Sequence, residues 1–226
     1  MILERSRTGK EQRFSLVRVS IAGDLDTEEL RKYDDIPPSK SEWPGDESDP
    51  ESLNEEEARA KSPHDLLLFA SKNNRVDIVK NFMNSGQLSA IINKHDEDGY
   101  TALHCCAYSN SVEVALLLIE CGAEIEARSG DGWTPLHSAA RWNNDEMASI
   151  LLSRGADVNS KTNGNLTALQ LAASEKEMLN VISVLVAEPH CDVSTENDGG
   201  DSALDLARRY CGFESALFCR DESFFL

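Results

Sequence analysis

The C-terminal two thirds of this chain alternates short apolar stretches with polar turns at a fixed rhythm. Leu66 to Ala70, then Val76, Ile78, Val79, Phe82 and Met83, carry apolar residues at helical spacing. The same spacing returns at Met147, Ile150 and Leu151, and at Val181, Val184 and Leu185. Leu116-Leu117-Leu118 before Gly122-Ala123 matches Ile150-Leu151-Leu152 before Gly155-Ala156. Ahead of these stretches stand Thr101-Ala102-Leu103-His104, Thr134-Pro135-Leu136-His137, Thr167-Ala168-Leu169-Gln170 and Ser202-Ala203-Leu204-Asp205, at steps of 33, 33 and 35 residues. The pattern predicts two helices per unit, the first slim and the second amphipathic, with a turn between units.

A period of 33 with openings of the Thr-Pro-Leu-His type resembles the ankyrin repeat. The predicted fold class is an all-α ankyrin-repeat solenoid, helix-turn-helix units joined by β-finger turns, behind an acidic disordered N-terminal tail. Asp131-Gly132 suits a finger tip. Thr134 caps the first helix and Pro135 takes its first position. Gly122 and Gly155 close second helices in a left-handed cap. Asn74, Asn110 and Asn143 stand where ankyrin repeats have a left-handed glycine, a backbone that Asn tolerates. The step of 35 places one extra residue near Glu175 to Leu179 and another at Glu188-Pro189-His190. Ser62-Pro63-His64-Asp65 opens a degenerate first unit with a capping box. The predicted units are 62–97, 98–130, 131–163, 164–198 and 199–218 within a domain spanning 61–218, the first and last acting as caps. Residues 219–226 form a C-terminal tail.

Charge changes the picture at the N-terminus. The net charge is −18, which opposes direct contact with nucleic-acid phosphates and favours basic partners. Residues 1–23 hold five Lys/Arg against two acids, and residues 24–60 hold fourteen acids against four basic residues. Such low hydrophobicity with high charge reads as disorder. Trp43, in the same stretch as Ile36, is a candidate anchor of a short linear motif, the alternative being a loose tether to the folded domain. Ser48 and Ser52 fit acidophilic-kinase sites, with Ser52 equally placed to cap a short helix through Glu55. Phe14 to Ile21 is too short and interrupted for a signal segment, and no window approaches a membrane span. The six cysteines lack a regular framework and read as free thiols. Cys105 and Cys106 fall on predicted core positions.

No nucleophile elbow, phosphate loop or metal-ligand spacing occurs, so no enzyme activity, catalytic residue, metal or cofactor is expected. His104 and His137 are expected to tie neighbouring turns together. The candidate partner-binding residues are Tyr100, Trp133 and Leu166, read as a solvent-facing ladder at steps of 33, extended by Tyr108, Arg141 and Trp142. The alternative is that Tyr100 and Trp133 pack against each other along the stack. Asp157-Val158-Asn159 looks like the ankyrin pattern accepted by the asparaginyl hydroxylase that also modifies hypoxia-inducible factors, which makes Asn159 a candidate modification site. The alternative is that Asn159 only braces its finger.

The chain further resembles the ankyrin repeat domain-containing protein 49 family, also called fetal globin-inducing factor. The resemblance rests on Leu66 to Ala70 with Lys72-Asn73-Asn74-Arg75, on Asp96-Glu97-Asp98, and on Asp131 through Ala139 with Trp142-Asn143-Asn144. Leu166-Thr167 and Asp205 to Arg209 continue it, so that it spans residues 34–218. It implies a small, acidic, four-repeat protein, nuclear and linked to positive regulation of transcription, with a role in spermatogenesis and no cofactor. On this basis the expected function is a non-enzymatic scaffold in the nucleus, with the cytoplasm as a second compartment. It is expected to act as a monomer that docks a protein partner on its concave face, without binding nucleic acid or membrane. The alternative is an adaptor that presents a client to the ubiquitin or chaperone machinery.

Overall fold

The computed structural model describes residues 62–175 and 178–210. The segments carrying Phe14, Ile36, Trp43, Ser48 and Ser52, and everything past Tyr210, lie outside the described residues. Ten helices follow in order among those described: α1 (Pro63–Lys72), α2 (Val76–Asn84), α3 (Leu88–Ile91), α4 (Ala102–Ser109), α5 (Val112–Glu120), α6 (Pro135–Arg141), α7 (Asp145–Ser153), α8 (Ala168–Ala173), α9 (Leu179–Ala187) and α10 (Ala203–Tyr210). The first helices α1, α4, α6, α8 and α10 stack in sequence, each against the next. The second helices pack on them, with α2 against α5 and α7 against α9.

Small residues make the close stacking possible. Ala70, Ala107, Ala139, Ala140, Ala172, Ala173 and Ala207 line the first helices and are buried. The second helices fill the remaining space with Val79, Leu118, Met147, Leu151 and Leu185, all fully buried. No single unit encloses a core, because each apolar face is covered by its neighbours. Cys105 and Cys106 lie inside this stack as expected, and burial pushes the Cys105 thiol up to about 12 and the Cys106 thiol higher still.

The first unit differs from the others. Three extra residues before Tyr100 wind into α3, whose Leu88 and Ile91 join the core with Ile92. The step from Ser62 to Thr101 is 39 residues against 33, and spacing alone does not say where in the unit that surplus folds.

Left-handed residues set the joints. Asn74, Asn110 and Asn143 have φ of 48°, 54° and 56° between the helices of their units. Their side chains add what glycine lacks. Asn74 accepts from Val114 N–H at 3.3 Å and Asn143 from Val181 N–H at 3.4 Å, each in the following unit. Asn165, at φ 56°, takes the finger-tip position filled elsewhere by Gly99, Gly132 and Gly200.

Successive fingers touch through backbone. Gly130 N–H donates to Asp98 O at 2.8 Å and Asn163 N–H to Asp131 O at 2.9 Å. The Asn163 amide also donates to Gly130 O at 2.9 Å. A methyl group on Gly132, at φ 76°, would sit 2.5 Å from Asn163 Oδ1 and 2.8 Å from its backbone nitrogen. Gly155, at φ 95°, has nothing within 4 Å of such a group. Gly155→Ala is therefore expected to cost only the left-handed penalty, about 1–2 kcal/mol. Gly132→Ala adds overpacking of about 1–3 kcal/mol. Urea unfolding of the two variants checks this, and equal losses would refute finger-to-finger contact at Gly132.

Candidate functional site

The histidines come first, because they position everything around them. His104 and His137 are third in their helices and fully buried. His104 Nδ1 accepts from Thr101 N–H at 3.1 Å and lies 2.9 Å from the Thr101 hydroxyl. A backbone N–H can only donate, so Nδ1 is bare and Nε2 carries the proton. That proton is donated to the Trp133 carbonyl of the next unit at 3.0 Å. His137 repeats the arrangement, with Thr134 N–H at 3.1 Å and the Leu166 carbonyl at 3.2 Å. Gln170 does the same with an amide: its oxygen accepts from Thr167 N–H, and its nitrogen donates to Thr195 O and Asp201 O. Asp205 caps Ser202 N–H at the same position in the last unit. An ionised carboxylate has no donor to pass forward.

These links correct the solvent-facing ladder. Tyr100 is buried, at 5 % exposure, with its ring edge on His104 at 5.5 Å between centroids. Trp133 is half-buried and tilts over His137 at 6.5 Å, and Leu166 is half-buried too. All three carry the carbonyl at the finger end, and Trp133 and Leu166 offer theirs to a histidine. The expectation of a free apolar group fails at Tyr100, because position alone does not show that its ring folds back on its own unit's histidine, while Trp133 and Leu166 stay partly exposed.

Tyr108, Arg141 and Trp142 stand at the opposite end of the first helices, where α4 and α6 finish. Seven helical residues, Pro135–Arg141, separate Trp133 from Trp142, a rise of about 10 Å. Trp142 is 43 % exposed. It meets Tyr108 edge to face at 4.9 Å. The Arg141 guanidinium lies 5.5 Å from the Trp142 ring centre and bridges to Glu175 at 3.1 Å. The Lys72 ammonium sits 5.8 Å from the Tyr108 ring. One line of cation, ring, ring, cation and carboxylate thus crosses four units. Lys72 and Glu175 were not singled out from sequence, although Lys72, Tyr108 and Arg141 each lie two residues before the inter-helix asparagine or its neighbour in the turn. Asn144 ties the same region together by donating to Ala107 O at 2.8 Å and Tyr108 O at 2.9 Å.

Asn159 is half-buried. Its amide nitrogen donates to His190 O at 2.7 Å, and its oxygen accepts from Asp192 N–H at 2.8 Å. Asn93 and Glu126 hold the same place in earlier units and reach forward likewise, to Glu124 N–H at 2.9 Å and Asp157 N–H at 3.0 Å. Asn159 thus shares the bracing role of these positions. Among the described residues no group of three or more His, Cys, Asp or Glu side chains is placed to hold a metal ion. No described helix is long and apolar enough to cross a membrane.

Burial holds both histidines neutral and pushes their values down from 6.5 to about 4. Between these values the unfolded chain binds protons that the folded chain does not. Their contribution is complete above about pH 6.5 and is lost as the pH falls toward 4, at about 1.4 kcal/mol per histidine per pH unit. The double variant His104→Gln/His137→Gln copies the Gln170 arrangement. It is expected to fold with a distinctly flatter stability profile from pH 6.5 to 4, read by urea midpoints against the parent chain. Parallel profiles would refute the neutral-histidine link.

Comparison with known proteins agrees with the geometry. The family model described as Ankyrin repeats (3 copies) matches residues 48–129 and 67–162. Ankyrin repeat domain-containing protein 49 of Bos taurus is 44 % identical over 180 residues, covering 76 % of this chain and 75 % of the relative. The Homo sapiens protein of the same name is 48 % identical over 155 residues, covering 69 % and 64 %. The Mus musculus protein is 35 % identical over 90 residues, covering 36 % and 37 %. A stack of ankyrin repeats is a protein–protein interaction domain, and with these relatives the chain belongs to the ankyrin repeat domain-containing protein 49 family.

Proposed function

We propose that this chain is a non-enzymatic nuclear scaffold that regulates transcription through a bound protein partner. The observation that carries the reading is Trp142, a large apolar ring 43 % exposed at the end of a first helix in the middle of the stack. Tryptophan is among the residues most enriched at interface hot spots. Tyr108 and Arg141 hold its ring in a fixed setting at 4.9 and 5.5 Å, so little side-chain freedom is lost on binding. The regulatory and nuclear parts of the proposal draw on the family resemblance. The net charge of −18 favours action through a protein over direct contact with DNA.

The full chain fused to a heterologous DNA-binding domain tests this. A reporter gene is expected to rise, and Trp142→Ala is expected to lower the signal several-fold at equal protein level. Imaging of a fluorescent fusion is expected to show nuclear enrichment. A silent reporter, or a signal that Trp142→Ala leaves unchanged, would contradict the proposal.

A further inference from the structure

We propose that Asn163 is a site of spontaneous covalent modification, at which loss of the side-chain amide through a succinimide yields aspartate and isoaspartate and loosens the contact between successive fingers. The sequence supplies the reacting pair. Thr162-Asn163-Gly164-Asn165 holds the one Asn-Gly step of the chain. Glycine gives the attacking backbone nitrogen no Cβ beside it, so ring closure meets the least hindrance there.

The finger geometry leaves that nitrogen unheld. In the other fingers the tip glycine is tied. Gly99 N–H donates to Asp96 O at 3.1 Å, Gly132 N–H to Ser129 O at 2.9 Å and Gly200 N–H to Asn197 O at 3.0 Å. In finger 162–166 the equivalent bond, to Thr162 O at 3.0 Å, comes from Asn165 N–H. The glycine therefore stands one residue early. At its place in fingers 96–100 and 197–201, Asp98 N–H donates to Asp96 Oδ1 at 3.0 Å and Gly199 N–H to Asn197 Oδ1 at 2.9 Å. Thr162 replaces those two acceptors, and its hydroxyl oxygen accepts from Leu166 N–H at 3.2 Å. Neither Gly164 N–H nor the Asn163 carbonyl has a hydrogen-bond partner among the described residues. Both residues are exposed, so this peptide unit can turn toward the side chain. One bond restrains the side chain itself, from Asn163 Nδ2 to Gly130 O at 2.9 Å. It is exposed, and a bond of this kind contributes little net and opens locally.

The reaction needs only water. Gly164 N gives its proton to solvent hydroxide and attacks Asn163 Cγ. The N–Cγ bond forms, the Cγ–Nδ2 bond breaks, and Nδ2 leaves as ammonia with a proton from water. Water then opens the ring. Breaking the N–Cγ bond gives aspartate, and breaking the bond from Gly164 N to the Asn163 backbone carbonyl carbon gives isoaspartate. Nothing is oxidised or reduced. Either product ends the contact with the preceding finger. A carboxylate has no N–H to donate to Gly130 O, and it sets a negative charge against that carbonyl. Isoaspartate also adds a methylene to the main chain beside the Asn163 N–H bond to Asp131 O, 2.9 Å long.

The test incubates the full-length folded chain for days at neutral and mildly alkaline pH, with peptide mapping by mass spectrometry and an isoaspartate-specific methyltransferase as readouts. Residue 163 is expected to convert faster as the pH rises. Asn197, whose Oδ1 is held by Gly199 N–H and Asp201 N–H at 2.9 and 3.0 Å, is expected to keep its amide. Gly164→Ala is the clean control, because its Cβ would meet only Thr162 Oγ1, at 3.8 Å, and the position does not use left-handed backbone. It is expected to fold with the parent's urea midpoint and to convert many-fold more slowly. Asn163→Asp is expected to lower the urea midpoint. The proposal is overturned if residue 163 converts in urea but keeps its amide in the folded chain, since the fold then protects it. Equal conversion of the parent and Gly164→Ala would exclude the succinimide route, and an unchanged midpoint for Asn163→Asp would exclude the loosening.

Discussion

The stacking of this domain depends on a forward-pointing side-chain hydrogen bond in each of its three central units. A single ankyrin unit is too thin to bury its own apolar face, so stability comes from the interfaces between units. Those interfaces need registration as well as apolar area. His104, His137 and Gln170 supply it from the third residue of a helix, where one end of the side chain caps its own threonine and the other grips the next unit's finger. The donor side chains are fully buried and the bonds partly so, so losing a donor leaves a poorly hydrated carbonyl without its partner. The series ends at Asp205, which caps but cannot donate, in the last described unit.

This link divides the aromatic side chains by duty. Tyr100 and Trp133 belong to the finger end, where they shelter the histidines. Tyr108 and Trp142 belong to the far end of the same helices, where the stack is already registered by Asn144 and the inter-helix asparagines. A ring that packs between units and still leaves much of its surface exposed remains available to a partner. Trp142 fits this description among the described residues better than Trp133, although the sequence presents Trp133 inside the more conspicuous motif.

The repeat was legible from spacing because its constraints are local. A threonine cap, a proline at the first helical position and a left-handed joint each leave a residue type behind, and Thr134, Pro135 and Asn143 are found as their types require. The helix α3 was not legible, because residues added between motifs lengthen the step without saying where they fold. Asn165 was hidden by the same cause in reverse: asparagine replaces glycine at a finger tip, and only alignment on Thr167 reveals it. The burial of Tyr100 was beyond the pattern, since it depends on a ring turning back onto His104. The line from Lys72 to Glu175 joins four units, and a one-dimensional period does not say which side chains cross between them.

The most direct test of the central claim is the protonation state of His104 and His137, read from their ring nitrogen shifts by NMR on the labelled full-length chain. Both are expected to be neutral with the proton on Nε2 across pH 5.5–7.5, in keeping with values pushed down to about 4. Titration near 6.5, or a proton on Nδ1, would contradict the forward link on which the stack is argued to depend.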